Sequence, residues 1–254
     1  MLSKKKIEEN LAGLSITPPK IFFYDETDST NTRAIEYAKS SQEKEAAVFI
    51  ANCQSAGRGR RGRSFVSNRG AGIYISFLTF PKESGEKATH ATAGAAVCVA
   101  RAVEALCSCK VQIKWVNDLY LGAKKLAGIL TEGEMNSDGS VAYQVVGIGI
   151  NVYKSAISGE ISSIATSLEE ENGIAPDRSA LAAQIIKEFM CADGDCYPEY
   201  KARSLVIGKR VTVLKPTESY EATALDINDD FSLSVDRGGK TERLFTGEIS
   251  LKIK

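Results

Sequence analysis

The residues of this chain that could do chemistry gather in three short segments. The first is Gln54-Ser55-Ala56-Gly57-Arg58-Gly59-Arg60-Arg61-Gly62-Arg63, with four arginines in six residues. A guanidinium presents a planar fork that fits a carboxylate or phosphate, and glycine lets the backbone approach closely. The composition therefore describes a mobile loop able to fold over an anion. Taken alone, a solvated basic turn or a nucleic-acid patch explains it as well. Gly57, Gly59 and Gly62 also satisfy G-x-G-x-x-G, but a dinucleotide turn must open a helix. Here Ser64–Gly72 leads into a strand pattern instead.

The second segment is Lys114-Trp115-Val116-Asn117-Asp118-Leu119-Tyr120-Leu121, followed through Gly122 by Lys124-Lys125-Leu126-Ala127-Gly128-Ile129-Leu130. It reads as a strand ending in polar Asn-Asp, a turn, and a returning strand. A lysine at such a turn is ordinarily solvated. Chemistry requires Lys125 to point back toward Asn117 and Asp118. The third segment, Val146-Gly147-Ile148-Gly149-Ile150-Asn151-Val152, alternates glycines along a strand, which suits either tight packing or close ligand approach.

The elements that must position these segments are legible in outline. Strand patterns cover Ile21–Asp25, Ala47–Asn52, Ile73–Phe80, Val111–Val116, Leu126–Glu132 and Tyr143–Val152. Helical patterns cover Asn31–Lys39 after the capping-type Asp28-Ser29-Thr30, the alanine-rich Thr89–Leu106, and Ser179–Met190 after Pro176-Asp177. Without a repeated βαβ rhythm, this predicts an α/β or α+β sheet with helices against one face. Beyond Tyr200 the character changes: short strands at Arg210–Leu214, Tyr220–Ile227, Ser232–Val235 and Glu242–Phe245, with Gly238-Gly239 between the last two, describe a small barrel. The boundary is set near Arg203, giving residues 1–203 and 204–254. Some fifty residues are a marginal independent core, so the barrel should pack on the first unit.

Bulk properties narrow the function classes. The 32 basic and 32 acidic residues cancel, so any anion binding must be local, since nucleic-acid binders that rely on an overall field are basic. No apolar run approaches a membrane span, and Met1–Asn10 has no signal-peptide core; a cytoplasmic protein is expected. Cys53, Cys98, Cys107, Cys109, Cys191 and Cys196 form no C-x-x-C pair and His90 is the single histidine. A protein-built metal site is therefore not expected, and the thiols read as reduced and mostly structural.

Together the segments resemble the biotin protein ligase family. The matching pieces are Asp28-Ser29-Thr30-Asn31, the Gly57–Arg63 loop, Lys114–Leu121, Lys125–Leu130 and Gly147–Asn151, in the family's order, and the likeness runs over roughly Phe22–Lys254. One departure is Val116, where the family usually has proline. No helix-turn-helix pattern fits the first twenty residues, so the likeness is to the monofunctional form without DNA binding. The resemblance implies an α+β fold: a central mixed sheet with helices, class II synthetase-like, plus a small SH3-like C-terminal barrel. It also implies formation of biotinyl-5′-AMP from biotin, ATP and Mg²⁺, then transfer of biotin to a lysine of the carrier domain of a biotin-dependent carboxylase. It leaves room for a homodimer and calls for no DNA or membrane.

Carried over by position, Lys125 and Arg58 look catalytic. Ser29, Thr30, Asn31, Gln54, Gly57, Arg58, Gly59, Arg60, Lys125 and Gly128 look like the biotin site. Arg58, Arg60, Asn117, Asp118, Lys125 and Asn151 look like the ATP site, with Asn151 resembling the adenine-recognising asparagine. Ser29 or Thr30 can equally cap a helix, and Trp115 reads as core or pocket wall. The rival readings are a lipoate or octanoate ligase of the same fold, whose family lacks this arginine-dense loop, a nucleic-acid binder without catalysis, and a biotin-binding regulator.

Overall fold

The computed structural model describes every residue except 82–87, 158, 193, 246–249 and 254. The chain opens with a helix the sequence did not announce, α1 (Lys4–Gly13). Ser3 caps it by accepting from the Lys6 amide at 3.4 Å. Only Ile7 and Leu11 carry its buried face, too few to read as a helical period, yet both are wholly buried. Strand β1 (Lys20–Tyr24), helix α2 (Thr30–Ser40) and strands β2 (Ala47–Ala51) and β3 (Gly72–Thr79) follow. Next come α3 (Ala88–Leu106), β4 (Gln112–Lys114), β5 (Asp118–Leu121), β6 (Lys124–Met135) and β7 (Val141–Asn151). The single strand expected at Val111–Val116 is thus shortened to β4, and Asp118 begins a separate strand.

These seven strands form one sheet in the order β1-β2-β3-β7-β6-β5-β4. β1 and β2 are parallel and the other neighbours antiparallel, so the sheet is mixed as expected. One expectation fails: the helices do not share a face. Val48, Ile50, Ile73, Ile75, Ile148 and Ile150 join α1, α3 and α5 in the main core. Ala47, Phe49, Leu78 and Val145 point the other way and pack with Ala34 of α2. The continuous apolar run Ala47–Ala51 is what a strand covered on both faces requires.

After β7 come the short α4 (Leu168–Asn172), α5 (Arg178–Met190), capped by the Asp177 carboxylate, and α6 (Tyr197–Ala202). The chain then runs along the main sheet's edge: the Ile113 amide donates to the Arg203 carbonyl and the Leu205 amide to the Ile113 carbonyl, each at 2.8 Å. Strands β8 (Arg210–Leu214), β9 (Ser219–Ile227), β10 (Leu233–Arg237), β11 (Lys240–Leu244) and β12 (Ser250–Ile253) build an antiparallel sheet ordered β11-β10-β9-β8-β12. Gly238 and Gly239 both have positive φ, as a two-residue hairpin turn between β10 and β11 demands. This second sheet fits the small SH3-like unit expected.

The two sheets share one core. Phe231 is 3% exposed and packs edge-on to Tyr200, with ring centroids 5.2 Å apart, and to His90 at 5.0 Å. The Trp115 indole donates to the Phe231 carbonyl at 2.8 Å, and the Tyr200 hydroxyl to the Val116 carbonyl at 3.0 Å. Trp115 is therefore a core residue. The Trp115–Val116 peptide is cis. Among the described residues, no helix is long and apolar enough to cross a membrane.

Candidate active site

The cleft lies on the α2 side of the sheet, and strand register decides what faces it. Gly147 pairs with Ser76 and Leu130, and Gly149 with Tyr74 and Gly128. Alternation then puts Ser76, Gly128, Leu130, Glu132, Gly147 and Gly149 on one face. The glycines make room for the protein's own side chains. A Cβ on Gly147 would lie 2.0 Å from Asn31 Oδ1, and one on Gly149 would lie 2.5 Å from the Phe65 ring.

A chain of neutral polar groups forms one end of the cleft. Gln54 Oε1 accepts from the Thr30 amide at 2.8 Å and hydroxyl at 3.0 Å, and Gln54 Nε2 donates to Ser67 Oγ at 2.9 Å. Ser76 Oγ lies 2.7 Å from Thr30 Oγ1 and 2.6 Å from Asn31 Oδ1. Ser29 stands at the N-cap of α2 but its side chain makes no capping bond. Asp28 serves that terminus instead, accepting from the Ser29 amide at 2.6 Å. Arg33, bonding the Asp28 carboxylate at 2.8 and 3.0 Å, is the main reason its pKa is held down at about 2.

The opposite end is charged. Lys125 does point back toward the Asn-Asp corner, with Nζ 2.6 Å from Asp118 Oδ1. A register shift between Leu119 and Tyr120 sets Lys125 opposite Tyr120, while Asp118 pairs with Gly128. The Lys125 backbone is pinned from outside the sheet, donating to the Ile164 carbonyl and accepting from the Thr166 amide, both at 2.9 Å. Gly128 keeps the ammonium's space open, since a Cβ there would lie 3.1 Å from Nζ.

The glycine-arginine loop closes over both ends. It opens no longer helix than the 3-10 turn Arg60–Gly62, which removes the dinucleotide-turn reading. Arg61 and Gly62 both have positive φ, and the Gly59 amide donates to the Arg63 carbonyl at 2.7 Å. Arg60 donates to Asn117 Oδ1 at 2.8 Å, while Asn117 Nδ2 donates to the Ile129 carbonyl at 2.9 Å. Burial pushes the Arg60 guanidinium down, opposed chiefly by the Asp118 carboxylate. Arg58 donates to Glu132 Oε2 at 2.8 Å.

Of the residues singled out from sequence, Ser29, Thr30, Asn31, Gln54, Arg58, Gly59, Arg60, Asn117, Lys125 and Gly128 line this one cleft. Three stand off its lining. Gly57 lies beneath the loop, where a Cβ would be 2.4 Å from the Phe65 carbonyl. Asp118 reaches the cleft through Lys125. Asn151, 6% exposed, extends the glycine face and donates to the Thr166 carbonyl at 3.1 Å. Sequence reasoning missed Ser76, Phe65 and Glu132. Glu132 closes the strand pattern read at Leu126–Glu132 and alternates onto the same face as Gly128 and Leu130 within β6, and a carboxylate at that alternation was the available signal.

The arrangement offers three cations, Lys125, Arg58 and Arg60, facing a cleft whose far end is a buried hydroxyl–amide chain. It suits a ligand with a neutral polar head and an anionic end. Comparison with known proteins agrees. Residues 23–151 match the model of the biotin/lipoate A/B protein ligase family. The chain is 30% identical over 241 residues to the bifunctional ligase/repressor BirA of Bacillus spizizenii, covering 91% of this chain and 74% of that one. It is 29% identical to the biotin–[acetyl-CoA-carboxylase] ligase of Mycobacterium tuberculosis, covering 98% and 95%. Among solved structures, the biotin protein ligase of Aquifex aeolicus in complex with biotin and ATP superposes with a TM-score of 0.78 at 26% identity, over 92% of this chain and 99% of that one.

Proposed function

The chain belongs to the biotin/lipoate A/B protein ligase family, and on that premise we propose that its cleft makes biotinyl-5′-AMP and passes the biotin to a lysine of a carboxylase carrier domain. It is a biotin ligase; the intermediate, the acceptor and the residue roles are the proposal. The observation that carries it is the convergence of Lys125, Arg58 and Arg60 on one cleft with Thr30 and Gln54.

In the first step a biotin carboxylate oxygen attacks the α-phosphorus of ATP. A phosphoanhydride bond breaks and pyrophosphate leaves. Both reactants are anions, so cations must offset their repulsion as the new bond forms. Lys125 is assigned to the bridging position between carboxylate and α-phosphate, aimed by Asp118. Arg58 and Arg60 close from the loop, and Asn117 holds Arg60 in place. Asn151 is assigned to the adenine. Thr30 and Gln54, with Ser29 and Asn31, are assigned to the ureido ring, whose donor and acceptor edges a hydroxyl and an amide can satisfy.

In the second step a neutral lysine amine attacks the acyl carbonyl of the mixed anhydride. An amide forms, AMP leaves and the amine's proton is released. The closed loop keeps water from that carbonyl until the acceptor docks.

No group of three or more His, Cys, Asp or Glu that could hold a metal occurs among the described residues. Magnesium needs only one or two protein carboxylates besides phosphates and water, so it is assigned to arrive with ATP. Residues 1–203 are read as the catalytic unit and 204–254 as the second unit.

The test is to incubate the protein with a biotin carrier domain, biotin, ATP and Mg²⁺ and to weigh the carrier by mass spectrometry. A gain of one biotinyl group on a single lysine is expected. No gain, or an equal gain from lipoate, contradicts the reading.

A further inference from the structure

Glu132 has no part in the reaction just described, yet two groups of the cleft converge on one of its oxygens. Glu132 Oε2 accepts from the Arg58 guanidinium at 2.8 Å and from Asn31 Nδ2 at 2.8 Å. The two donors are mechanically unlike. Asn31 is 4% exposed, its Oδ1 receives the Ser76 hydroxyl, and its Nδ2 also reaches the Leu130 carbonyl at 3.2 Å. It is wedged over Gly147, which has no Cβ to spare. It is a fixed point of the floor. Arg58 stands between Gly57 and Gly59 on the loop, with its side chain 42% exposed. Its backbone neighbours bond to the loop's own returning arm, the Gly57 carbonyl accepting from the Phe65 amide at 2.9 Å and the Gly59 amide donating to the Arg63 carbonyl at 2.7 Å, while no such network as Asn31's holds its side chain.

We propose that Glu132 is a positioning residue that tethers the glycine-arginine loop to the cleft floor before any ligand arrives. The carboxylate engages one nitrogen of the Arg58 fork, and a guanidinium carries five N–H donors, so donors remain for an anionic ligand. The tether restricts the loop in advance and thereby lowers the entropic cost of closing it on that ligand. It also links the loop to the Thr30–Ser76–Asn31 chain, so the floor that would read the ligand's neutral head also sets the lid for its anionic end. What the loop closes upon rests on the biotin-ligase reading; the tether itself does not.

The four arginines of the loop make a direct readout available, because trypsin cuts after each of them when the loop opens. Glu132→Gln keeps the side chain's shape and removes its charge. In the ligand-free full-length protein it should speed cleavage within residues 58–63 by about 1.5-fold to fivefold, the span of a partly exposed ion pair, read from fragment masses. On an Arg58→Met background, the same Glu132→Gln change should add nothing at the remaining sites, because the tethered partner is already gone. A purely structural loosening would add equally on both backgrounds. Equal cleavage of wild type and Glu132→Gln overturns the proposal, as does equal acceleration on both backgrounds. Tighter biotin binding by Glu132→Gln in calorimetry also overturns it, since Glu132 would then be a competitor for Arg58. If the cleavage cycle behaves as stated but biotin and ATP give the wild-type loop no protection, the tether stands and the ligand reading falls.

Discussion

At the scale of single residues, the proposed chemistry rests on Lys125 and the loop arginines. Lys125 is half-buried, with its side chain 31% exposed and against Asp118. Lys125→Ala should therefore leave the fold intact while removing the cation proposed to lie between the two reacting anions. Losing one preorganised electrostatic contact costs catalysis about 10²-fold or more, and biotin-dependent exchange of pyrophosphate into ATP should fall by that much. Exchange at the wild-type rate would take Lys125 out of the mechanism. Arg60 bears on retention of the intermediate. Ordering a loop costs ~1–2 kcal/mol of backbone entropy per residue, and each charge-assisted contact to a ligand returns ~1.5–3 kcal/mol. Arg60→Gly deletes such a contact together with the bond to Asn117. It should still make biotinyl-AMP but release it, labelling a bystander lysine-rich protein that the wild type leaves untouched. Normal adenylation without extra bystander labelling would mean the loop is not a lid. The arginines between glycines and the lysine seven residues after Asp118 are plain in the sequence, while the roles proposed for them come from the family resemblance. Glu132 and Ser76 were not visible, because strand register brings them to Asn31 across gaps of 101 and 45 residues.

At the scale of elements, β7 and α2 fit each other through the absence of a side chain. Gly147→Ala would drive a methyl group into Asn31, which is held on both sides by hydrogen bonds and cannot yield. An overpacking cost of about 1–3 kcal/mol is expected, with weaker biotin affinity, read by urea unfolding and calorimetry. Wild-type stability and affinity would show that the α2–β7 contact is loose. The N-terminus of α2 makes a pH-dependent contribution. Asp28 titrates at about 2 in the folded protein against an ordinary 3.8. A depressed carboxyl stabilises above its unfolded value, and that stability is lost as pH falls from about 3.8 through about 2. The pair is 38% and 34% exposed, so the contribution is at most about 1 kcal/mol after screening. Asp28→Asn should be less stable than wild type near neutral pH, and the gap should vanish in acid. A gap that persists below the folded value would assign the effect to something other than ionisation. Strand patterns here were legible from period-two apolarity, but the side each helix covers was not. The sequence contained a cue in Ala47–Ala51, apolar on both faces, which the expectation of a one-sided sheet overlooked. Helix α1 escaped because two buried residues, Ile7 and Leu11, make no readable period.

At the scale of the whole molecule, the second sheet is bound into the main core through Phe231, Trp115 and Tyr200. Because the barrel's Phe231 packs on Tyr200 and accepts from the Trp115 indole, and Tyr200 donates to the Val116 carbonyl just before Asn117, the barrel braces the hairpin that carries Asn117 and Asp118. Truncation after Arg203 should expose the Tyr200–Trp115 surface and lower both stability and activity. Biotin binding should survive in part, since the residues assigned to biotin all precede position 130. A truncated protein that biotinylates its carrier at full rate would deny the barrel any part in catalysis. The tail's change to short strands was legible in sequence, and its small size implied that it packs on the first unit; the contacts that do so were not legible, because Phe231 meets Trp115 across 116 residues. The proposed activation of biotin as an acyl-adenylate in this one cleft is the step on which the other roles depend. It is tested most directly by mixing the protein with biotin, ATP and Mg²⁺, without carrier, and analysing the quenched mixture by mass spectrometry. Protein-bound biotinyl-5′-AMP and released pyrophosphate are expected, with the adenylate consumed and AMP appearing once a carrier domain is added. ATP converted to ADP, or carrier biotinylated with no adenylate ever present, would contradict it.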